Sequence, residues 1–378
     1  MKKKLMPQCW LMMLSMIVMA SNVLAVPPRL PKVSPEDAGM DSQHLKHIDG
    51  IVAEGIAQGQ MPGCVIAVGH RGKIAWLKAY GHKQEKPVKV PMTVDTVFDM
   101  ASITKPVATA TSIMKLVEQG QLRIAERVSA YVPQFGAEGK QGITLFQLLT
   151  HQGGLIPDNS LKDYQDGPRR SMERIYGLKL FAEPGTKFIY TDVGFIMLAD
   201  LVHKISGKNV HEFSQDQVFR PLGMIDTGYR PNAARRKRAA PTEMRNGKWM
   251  QGEVHDPRAY LLNGIAGHAG LFSTAEDLAI YAQMMLGDGE YAGVRVLSKR
   301  AVEVMTAAHT VSSGLRGLGW DKQTGYSSNR GELFTTQAFG HGGFTGTSLW
   351  IDPGLDLFVI FLGNRLHPDG KGSINRLA

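Results

Sequence analysis

The sequence is poor in cysteine, in long apolar runs and in repeats, and each absence excludes a class of protein. Its 378 residues include 2 cysteines, too few for a disulfide-stapled scaffold. No segment is polar or repetitive enough for a disordered, collagen-like or coiled-coil chain. After residue 25 no apolar stretch reaches the ~20 residues that a membrane-spanning helix needs. What remains is 43% hydrophobic and 20% charged, a globular composition that can bury a core without staples.

The first 25 residues have the pattern of a secretory signal. Three lysines at positions 2–4 precede an apolar stretch at 9–20, and the small-residue segment 23–25 ends in Ala25. A membrane anchor is the alternative, but the apolar stretch is too short to span a bilayer. We therefore expect cleavage after Ala25 and a periplasmic or secreted mature chain, residues 26–378.

Cleavage changes the charge and the cysteine content of the chain. It leaves 40 Lys+Arg against 34 Asp+Glu, a formal charge of +6, and Cys64 as the single cysteine. Cys64 lies in an apolar run, so we expect it to be buried rather than reactive. The densest basic cluster, 235–238, is predicted to be a solvated loop, with contact to an anionic surface as the alternative. We expect no nucleic-acid partner, because no aromatic residues are interleaved with these charges.

Apolar periodicity and turn residues predict an α+β fold. Short adjacent hairpins indicate an antiparallel sheet that both ends of the chain share, with the central helices as a second lobe. We expect one domain, its sheet lobe at about 33–105 and 265–378 and its helical lobe at about 106–264. The predicted helices and strands, with hairpin turns at 70–72 and 352–354, are helices 44–57, 107–118, 143–149, 193–205 and 274–286, and strands 65–68, 73–80, 344–351 and 357–362.

A Ser-x-x-Lys pattern at the start of a helix is the first candidate for chemistry. Ser102 and Lys105 are one helical turn apart, so the amine can reach the hydroxyl. Burial favours a neutral amine that can take the serine proton. Pro106 disfavours regular helix at Lys105, which predicts an irregular first turn. A second match begins at Ser112 within an apolar helical run, and we interpret it as accidental.

Two further segments add candidate groups. Tyr190-Thr191-Asp192 precedes a predicted helix, and a phenol can relay protons when a neighbouring ammonium stabilises its anion. His341-Gly342-Gly343 is predicted to open the penultimate strand and run into Phe344. Small residues there let a substrate backbone lie along the strand edge. The backbone N–H groups of Ser102 and Phe344 can together form an oxyanion hole.

Together and in this order, the three segments resemble the serine β-lactamase and penicillin-binding-protein superfamily, which has a Ser-x-x-Lys, a Tyr/Ser-x-Asn and a Lys-Thr-Gly box. The closer resemblance is to the class C-type branch, which includes exported esterases, D-amino-acid peptidases and the penicillin-binding-protein 4B group of D-alanyl-D-alanine carboxypeptidases. It covers roughly residues 33–365. Further segments that carry it are 148–155, 184–186, 221–224 and 267–275.

The resemblance implies that Ser102 is the acylated nucleophile and that Lys105 and Tyr190 share the acid–base work. Two positions depart from the boxes. Asp192 stands at the usual Asn, where a carboxylate cannot donate a hydrogen bond and can instead pair with Lys105 and raise its pKa, or take up a proton. His341 stands at the usual Lys, so a titratable group replaces a fixed cation and recognition of a substrate carboxylate is weakened.

The resemblance also implies a long C-terminal helix over the sheet. Only eight residues follow Gly370, so we expect either that the chain is truncated or that this helix is missing. Other candidates are weaker: we expect His255, Asp256 and His268 to make structural hydrogen bonds, and the pair His44 and His47 to lie on the surface. The sequence has no zinc-protease motif, P-loop or Gly-x-Ser-x-Gly elbow, and we expect no metal or cofactor.

These residues predict a serine hydrolase that acts through an acyl-enzyme on a small-molecule or peptide substrate. A D-alanyl-D-alanine carboxypeptidase-like, penicillin-binding enzyme is the first expectation. An esterase, a weak class C-type β-lactamase and a non-catalytic module that binds muropeptides are the alternatives.

Overall fold

A computed structural model describes residues 27–378, so the predicted signal at 1–25 lies outside the described residues. The strands are β1 Gly63–His70, β2 Lys73–Gln84, β3 Val90–Pro91, β4 Phe98–Asp99, β5 Gly228–Tyr229, β6 Pro241–Arg245, β7 Lys248–Gln251, β8 Leu271–Ser273, β9 Glu290–Tyr291, β10 Val294–Arg295, β11 His309–Val311, β12 Gly314–Arg316, β13 Asp321–Gln323, β14 Phe339–Gly343, β15 Thr347–Asp352 and β16 Leu357–Gly363.

The α-helices are α1 Ser42–Ala57, α2 Thr111–Glu118, α3 Val128–Tyr131, α4 Leu145–Leu149, α5 Pro168–Tyr176, α6 Asp192–Ser206, α7 Val210–Ser214, α8 Ala233–Arg238, α9 Pro257–Leu261, α10 Ala275–Leu286 and α11 Lys299–Thr306. Short 3-10 turns and two π-helical turns connect them; the turns that matter for the site are the 3-10 turn Ala101–Ile103 and the π-helical turn Lys105–Ala110. None of the described helices is both long enough and apolar enough to cross a bilayer.

Nine strands form one antiparallel sheet in the order β11-β12-β13-β14-β15-β16-β1-β2-β3. The N-terminal strand β1 pairs with the C-terminal strand β16, and Val65 lies opposite Leu362. The prediction that the two ends of the chain share a sheet is therefore confirmed. Strand β1 is a nearly continuous apolar run. Since successive side chains point to opposite sides of a sheet, both faces of the strand are apolar. Val65 and Ala67 pack in the main core, whereas Cys64 and Ile66 face α1.

The predicted helices at 193–205 and 274–286 and the burial of Cys64 are confirmed. Helix α6 begins where the Thr191 side chain accepts the N–H of Gly194, and α10 begins where Thr274 accepts the N–H of Asp277. Both are N-caps of the kind that polar residues before an apolar stripe predict. Cys64 is fully buried, and burial raises the pKa of its thiol.

Two local predictions are wrong. The basic cluster is not a loop: it lies in α8, which begins where the Asn232 side chain accepts the N–H of Arg235. Phe344 does not begin a strand, because β14 ends at Gly343 and β15 begins at Thr347. Gly346, with φ of +106°, completes the intervening turn. His341 therefore lies in the middle of β14, two strands before the last.

Residues 364–378, which follow the last strand, form turns and no helix. Within them Ile374 is buried against the outer face of the sheet, in the same apolar cluster as Val52 of α1. Leu377 packs on this cluster as well. The end of the described chain thus contributes to the second, smaller core.

Candidate active site

Ser102 lies in the 3-10 turn that follows β4, and a buried carboxylate holds this turn in place. Ala101 has φ of +44°, a conformation that residues other than glycine rarely adopt. Its N–H donates to Oδ1 of Asp99 over 2.9 Å, and Oδ2 of Asp99 accepts the N–H of His255 over 2.7 Å. Two backbone donors thus fix Asp99, and Asp99 fixes the residue before Ser102.

Lys105 begins the π-helical turn and is fully buried, so the predicted irregular first turn is confirmed. Its Nζ donates to Oγ of Ser102 over 3.0 Å and to the carbonyl oxygen of His268 over 3.2 Å. The second Ser-x-x-Lys match differs in each respect: the Ser112 hydroxyl donates to the carbonyl oxygen of Ala108, and Lys115 points to the carbonyl of Val296. That match has no access to the cleft.

Asp192 forms an ion pair with Lys105, with Oδ1 2.7 Å from Nζ. Burial alone would lower the pKa of Lys105, but the charges of Asp192 and then Tyr190 outweigh it, and the pKa is raised. The expectation of a neutral amine is wrong, and the alternative, in which Asp192 keeps Lys105 charged, agrees with the structure.

Tyr190 lies beside this ion pair, with its ring centroid 4.8 Å from Nζ of Lys105. Two other rings stack on it, His151 and Tyr326, each with its centroid 4.5 Å away. Nδ1 of His151 accepts the N–H of Thr191 over 3.1 Å. Burial, then the charges of Arg316 and Lys105, lower the pKa of His151 well below its usual value. A neutral imidazole therefore holds one face of Tyr190.

His341 lines the same cleft from the sheet side, with its ring centroid 6.0 Å from that of Tyr190. Its Nδ1 donates to the carbonyl oxygen of Gly342 over 2.7 Å, so Nε2 carries the lone pair. Burial, then the charges of Arg316 and Lys105, lower its pKa well below the usual value. The group that replaces the fixed cation of the box is therefore neutral near neutral pH, which agrees with weakened recognition of a substrate carboxylate.

The turn that carries Phe344 is tied to the residues before Ser102. The Thr345 hydroxyl donates to the carbonyl oxygen of Asp99 over 2.6 Å, and the Thr347 hydroxyl donates to that of Met100. Gly343 is so close that a Cβ there would lie 2.5 Å from the same Met100 oxygen. The Phe344 side chain is 62% exposed and stacks on His255.

The cleft has a volume of about 390 Å³. Five of the predicted site residues line it: Ser102, Tyr190, His341, Gly343 and Phe344. Lys105 and Asp192 lie beneath it, joined to Ser102 by the contacts above. Sequence reasoning missed several of its walls, which come from segments without a recognisable motif. The lining residues are Ser102, Tyr190, Asp321, Tyr326, Asn329, His341, Gly342, Gly343, Phe344, Arg365, Ser373, Ile374 and Asn375.

The remaining histidine candidates make side-chain hydrogen bonds. His255 Nε2 contacts Oε2 of Glu243 at 2.6 Å, and His268 Nε2 contacts Oδ1 of Asp256 at 2.8 Å. Burial opposes a charge on His268, but the attraction of Asp256 outweighs it and raises the pKa of His268. His44 and His47 are exposed, as predicted.

Asp192, Asp256 and His268 form a group of potential metal ligands among the described residues, with ligand atoms within 4.8 Å of one another. Asp192 already pairs with the ammonium of Lys105, and Asp256 pairs with His268. An ammonium ion in contact with a ligand carboxylate competes directly with a metal cation. The donor set therefore fits the charge network already present better than it fits a metal ion.

Comparison with known proteins places this site in a family context. The family model described as "Beta-lactamase" matches residues 48–378. The "N-acetylmuramyl-L-alanine amidase" of Bacillus subtilis (strain 168) is 33% identical, over 89% of this chain and 85% of that protein. The "Putative D-alanyl-D-alanine carboxypeptidase" of Escherichia coli (strain K12) is 29% identical, over 94% and 90% of the two chains.

The fold agrees with these relatives. The crystal structure of a penicillin-binding-protein homologue from Caulobacter crescentus superposes with a TM-score of 0.72, with 20% identity, over 91% of this chain and 96% of that chain. At this identity the likeness concerns the fold alone. The family model supplies the assignment, since it matches well over half of the chain. This chain belongs to the β-lactamase family and is a serine hydrolase with the fold of the penicillin-binding proteins.

Proposed function

We propose that this chain is an exported amide hydrolase of peptidoglycan fragments that acts through an acyl-enzyme on Ser102. The observation that carries the proposal is the contact of Ser102 Oγ with Lys105 Nζ at 3.0 Å, beside Tyr190, on the floor of an open cleft. The names of the relatives from Bacillus subtilis and Escherichia coli support a cell-wall substrate.

In the proposed reaction the substrate carbonyl oxygen binds between the N–H groups of Ser102 and Phe344. Oγ of Ser102 attacks the carbonyl carbon and gives its proton to the Tyr190 oxygen, since Lys105 is already protonated. The Tyr190 hydroxyl passes a proton on to the amide nitrogen as the C–N bond breaks. Water attacks the acyl-enzyme by the same route and releases Ser102.

The charge of the cleft bears on which amide bond is cleaved. A neutral His341 supplies no cation to attract a carboxylate. Gly342 offers no hydroxyl to a carboxylate either. Both features favour an amide inside a chain, where the groups flanking the scissile bond are uncharged. The bond between N-acetylmuramic acid and L-alanine, which the name of the Bacillus subtilis relative implies, has this character.

A D-alanyl-D-alanine carboxypeptidase is the second candidate, and one observation favours it. Arg365 lines the cleft, with its guanidinium carbon 4.5 Å from the centroid of the Phe344 ring. One of its nitrogens donates to the carbonyl oxygen of Gly372, which leaves other donors for a ligand. A guanidinium in this place suits the terminal carboxylate of a D-Ala-D-Ala peptide.

One substrate separates the two candidates, because it contains both bonds. N-acetylmuramyl-pentapeptide that ends in D-Ala-D-Ala is incubated with the chain and with Ser102→Ala, and the products are identified by mass. Free N-acetylmuramic acid indicates the amidase, and loss of one D-alanine indicates the carboxypeptidase. If a probe labels Ser102 but neither product forms, the proposal fails in favour of an esterase or a β-lactamase. Binding without labelling or turnover would indicate a non-catalytic module.

Export has its own test. The chain is expressed with residues 1–25 in a Gram-negative host, and the mass of the purified product is measured. We expect a chain that begins at residue 26 in the periplasmic fraction. A full-length chain that remains in the cytoplasm or the membrane would overturn this part of the proposal.

A further inference from the structure

Tyr326 forms the end of a column of three stacked rings in the wall of the cleft. Tyr190 lies in the middle of this column, with the centroids of His151 and Tyr326 each 4.5 Å away. Both neighbours are nearly parallel to Tyr190, at 29° and 23°. Two rings stacked at this distance cannot share one face, so they cover opposite faces of Tyr190. Tyr326 thus uses one of its own faces for this contact.

The second face of Tyr326 is open. Phe188 meets this ring edge-on, but it is 5.9 Å from His151 and 6.1 Å from Tyr326. Since these distances are nearly equal, Phe188 packs on the side of the column and not on its end. Tyr326 lines the cleft and is 55% exposed. Phe344, the other exposed ring of the cleft, already carries the guanidinium of Arg365 at 4.5 Å.

A buried carboxylate fixes the loop that presents Tyr326. Asp321, at the start of β13, accepts the hydroxyl of Thr324 over 3.0 Å and that of Ser327 over 2.9 Å. The N–H of Tyr326 in turn donates to Oγ1 of Thr324 over 3.2 Å. The residues on both sides of the ring are therefore tied to the sheet. An exposed tyrosine that is held in place before a ligand arrives loses little conformational entropy on binding.

The position of Tyr326 beside Tyr190 indicates which part of the substrate it meets. In the proposed reaction the Tyr190 hydroxyl gives a proton to the leaving nitrogen, so the residue that carries this nitrogen lies against Tyr190. Tyr326 flanks Tyr190 within the same cleft. Both candidate reactions release an alanine from this place, L-alanine for the amidase and D-alanine for the carboxypeptidase. The face of a tyrosine ring is an apolar surface that suits a methyl group.

We propose that Tyr326 is a specificity-determining residue whose open ring face binds the apolar side chain of the residue that carries the leaving nitrogen. This inference rests on the proposed acylation of Ser102 and holds for either candidate bond. It adds a contact with the substrate and no step to the reaction.

The test is a competition between two substrates that differ by one methyl group. N-acetylmuramyl-pentapeptide is mixed in equal amounts with the analogue in which glycine replaces the alanine after the cleaved bond. The mass spectrum of the products gives the ratio of the two kcat/KM values. Burial of one methyl group changes an equilibrium constant about fourfold, so the full chain should prefer alanine by about this factor. In Tyr326→Ala the ratio should fall to about one, and Tyr326→Phe, which keeps the ring, should retain the wild-type ratio.

Labelling by a fluorophosphonate separates substrate binding from a structural role. The group that leaves is fluoride, which has no side chain for Tyr326 to bind, so Tyr326→Ala should label Ser102 at the wild-type rate. Phe181→Ala is the matched control, because Phe181 is 65% exposed but does not line the cleft. Both the labelling rate and the substrate ratio should be unchanged in this variant.

An alanine-to-glycine ratio that stays the same in Tyr326→Ala would overturn the inference. Labelling that slows by the same factor as peptide hydrolysis would also overturn it, because Tyr326 would then only hold the ring of Tyr190 in place. No labelling of the folded wild-type chain, or labelling without hydrolysis of either peptide, would instead overturn the proposed function, and this inference with it.

Discussion

Asp192 determines the charge of Lys105. Without a partner a buried lysine loses its proton more readily, but the carboxylate at 2.7 Å reverses this tendency. Asn at the same position could not do so, because a neutral amide does not compensate an ammonium. Tyr190 is therefore the group left to relay the proton of Ser102 to the leaving amine.

Replacing this carboxylate tests the argument directly. In Asp192→Asn burial is less opposed, so the pKa of Lys105 should fall. If the charged ammonium supports the attack of Ser102, the loss of acylation at alkaline pH should begin about one to three pH units lower. The rate of fluorophosphonate labelling between pH 6 and 11 measures this.

Asp200→Asn is a suitable control for that experiment. Asp200 is also a carboxylate of α6, and it accepts a hydrogen bond from the Tyr176 hydroxyl. It does not line the cleft. An alkaline limb that stays in place in Asp192→Asn would contradict the assigned role of the ion pair.

His341 offers a second test, because its neutrality underlies the preferred substrate. His341→Lys places a cation in the cleft, which should favour a substrate with a terminal carboxylate. With N-acetylmuramyl-pentapeptide as substrate, we expect the rate of D-alanine release, relative to N-acetylmuramic acid release, to rise at least tenfold. His341→Gln, neutral and still an acceptor, should keep the wild-type ratio. An unchanged ratio in His341→Lys would refute the role given to this residue.

At the scale of elements, the close approach of β14 to the Ser102 turn leaves no room for a side chain at Gly343. A Cβ at that position would lie 2.1 Å from Oγ1 of Thr347 and 2.5 Å from the backbone oxygen of Met100. Backbone cannot yield as a flexible side chain can. Gly343→Ala should therefore displace the turn that carries Phe344 and lower the rate of acylation at least tenfold.

The neighbouring glycine provides the matched control. A Cβ at Gly342 meets chiefly the side-chain amide of Asn329, which can shift, so Gly342→Ala should lower the rate much less. Circular dichroism and thermal unfolding would show that both variants fold. Equal rates for Gly342→Ala and Gly343→Ala would mean that the close approach does not position the oxyanion site.

The elements that the sequence predicts correctly are those with strong local signals. Helix α6 has an apolar stripe, a Thr191 cap and a terminal Gly207, and β1 and β2 flank a two-residue turn whose residues both have positive φ. Strand β14 has no such signal. Three of its five residues are glycine, which lowers strand propensity, and it is a strand because it pairs with β15 across the sheet.

For the whole molecule, the buried neutral histidines link stability to pH. The pKa of His341 is lowered in the folded state, so below about pH 6.5 the unfolded chain binds a proton that the folded chain does not. The stability that depends on a neutral His341 is complete above that pH and is lost as the pH falls below it.

Urea unfolding of the wild type and His341→Gln at pH 7.5 and 5.0 would measure this link. Groups common to both chains cancel in the comparison. The wild type should lose about 2 kcal/mol more than the variant between the two pH values. Equal losses would show that His341 is protonated in the folded chain.

The candidate site could be predicted only in part, because some of its residues lie in sequence motifs and others meet only through the fold. Ser102, Lys105, Tyr190, Asp192 and His341 occur in motifs with fixed local spacing, and the fold brings them together in one cleft and the layer beneath it. Other features of the site depend on contacts between distant segments. No motif marks the stacking of His151 on Tyr190, for example.

The most direct test of the account is the intact mass of the purified chain with a fluorophosphonate and with a penicillin, beside Ser102→Ala. The account predicts one fluorophosphonate adduct on the wild type and none on the variant. A penicillin adduct would favour the carboxypeptidase over the amidase. An adduct that persists in Ser102→Ala, or a folded wild-type chain that neither probe labels, would contradict the assignment of Ser102 as the nucleophile.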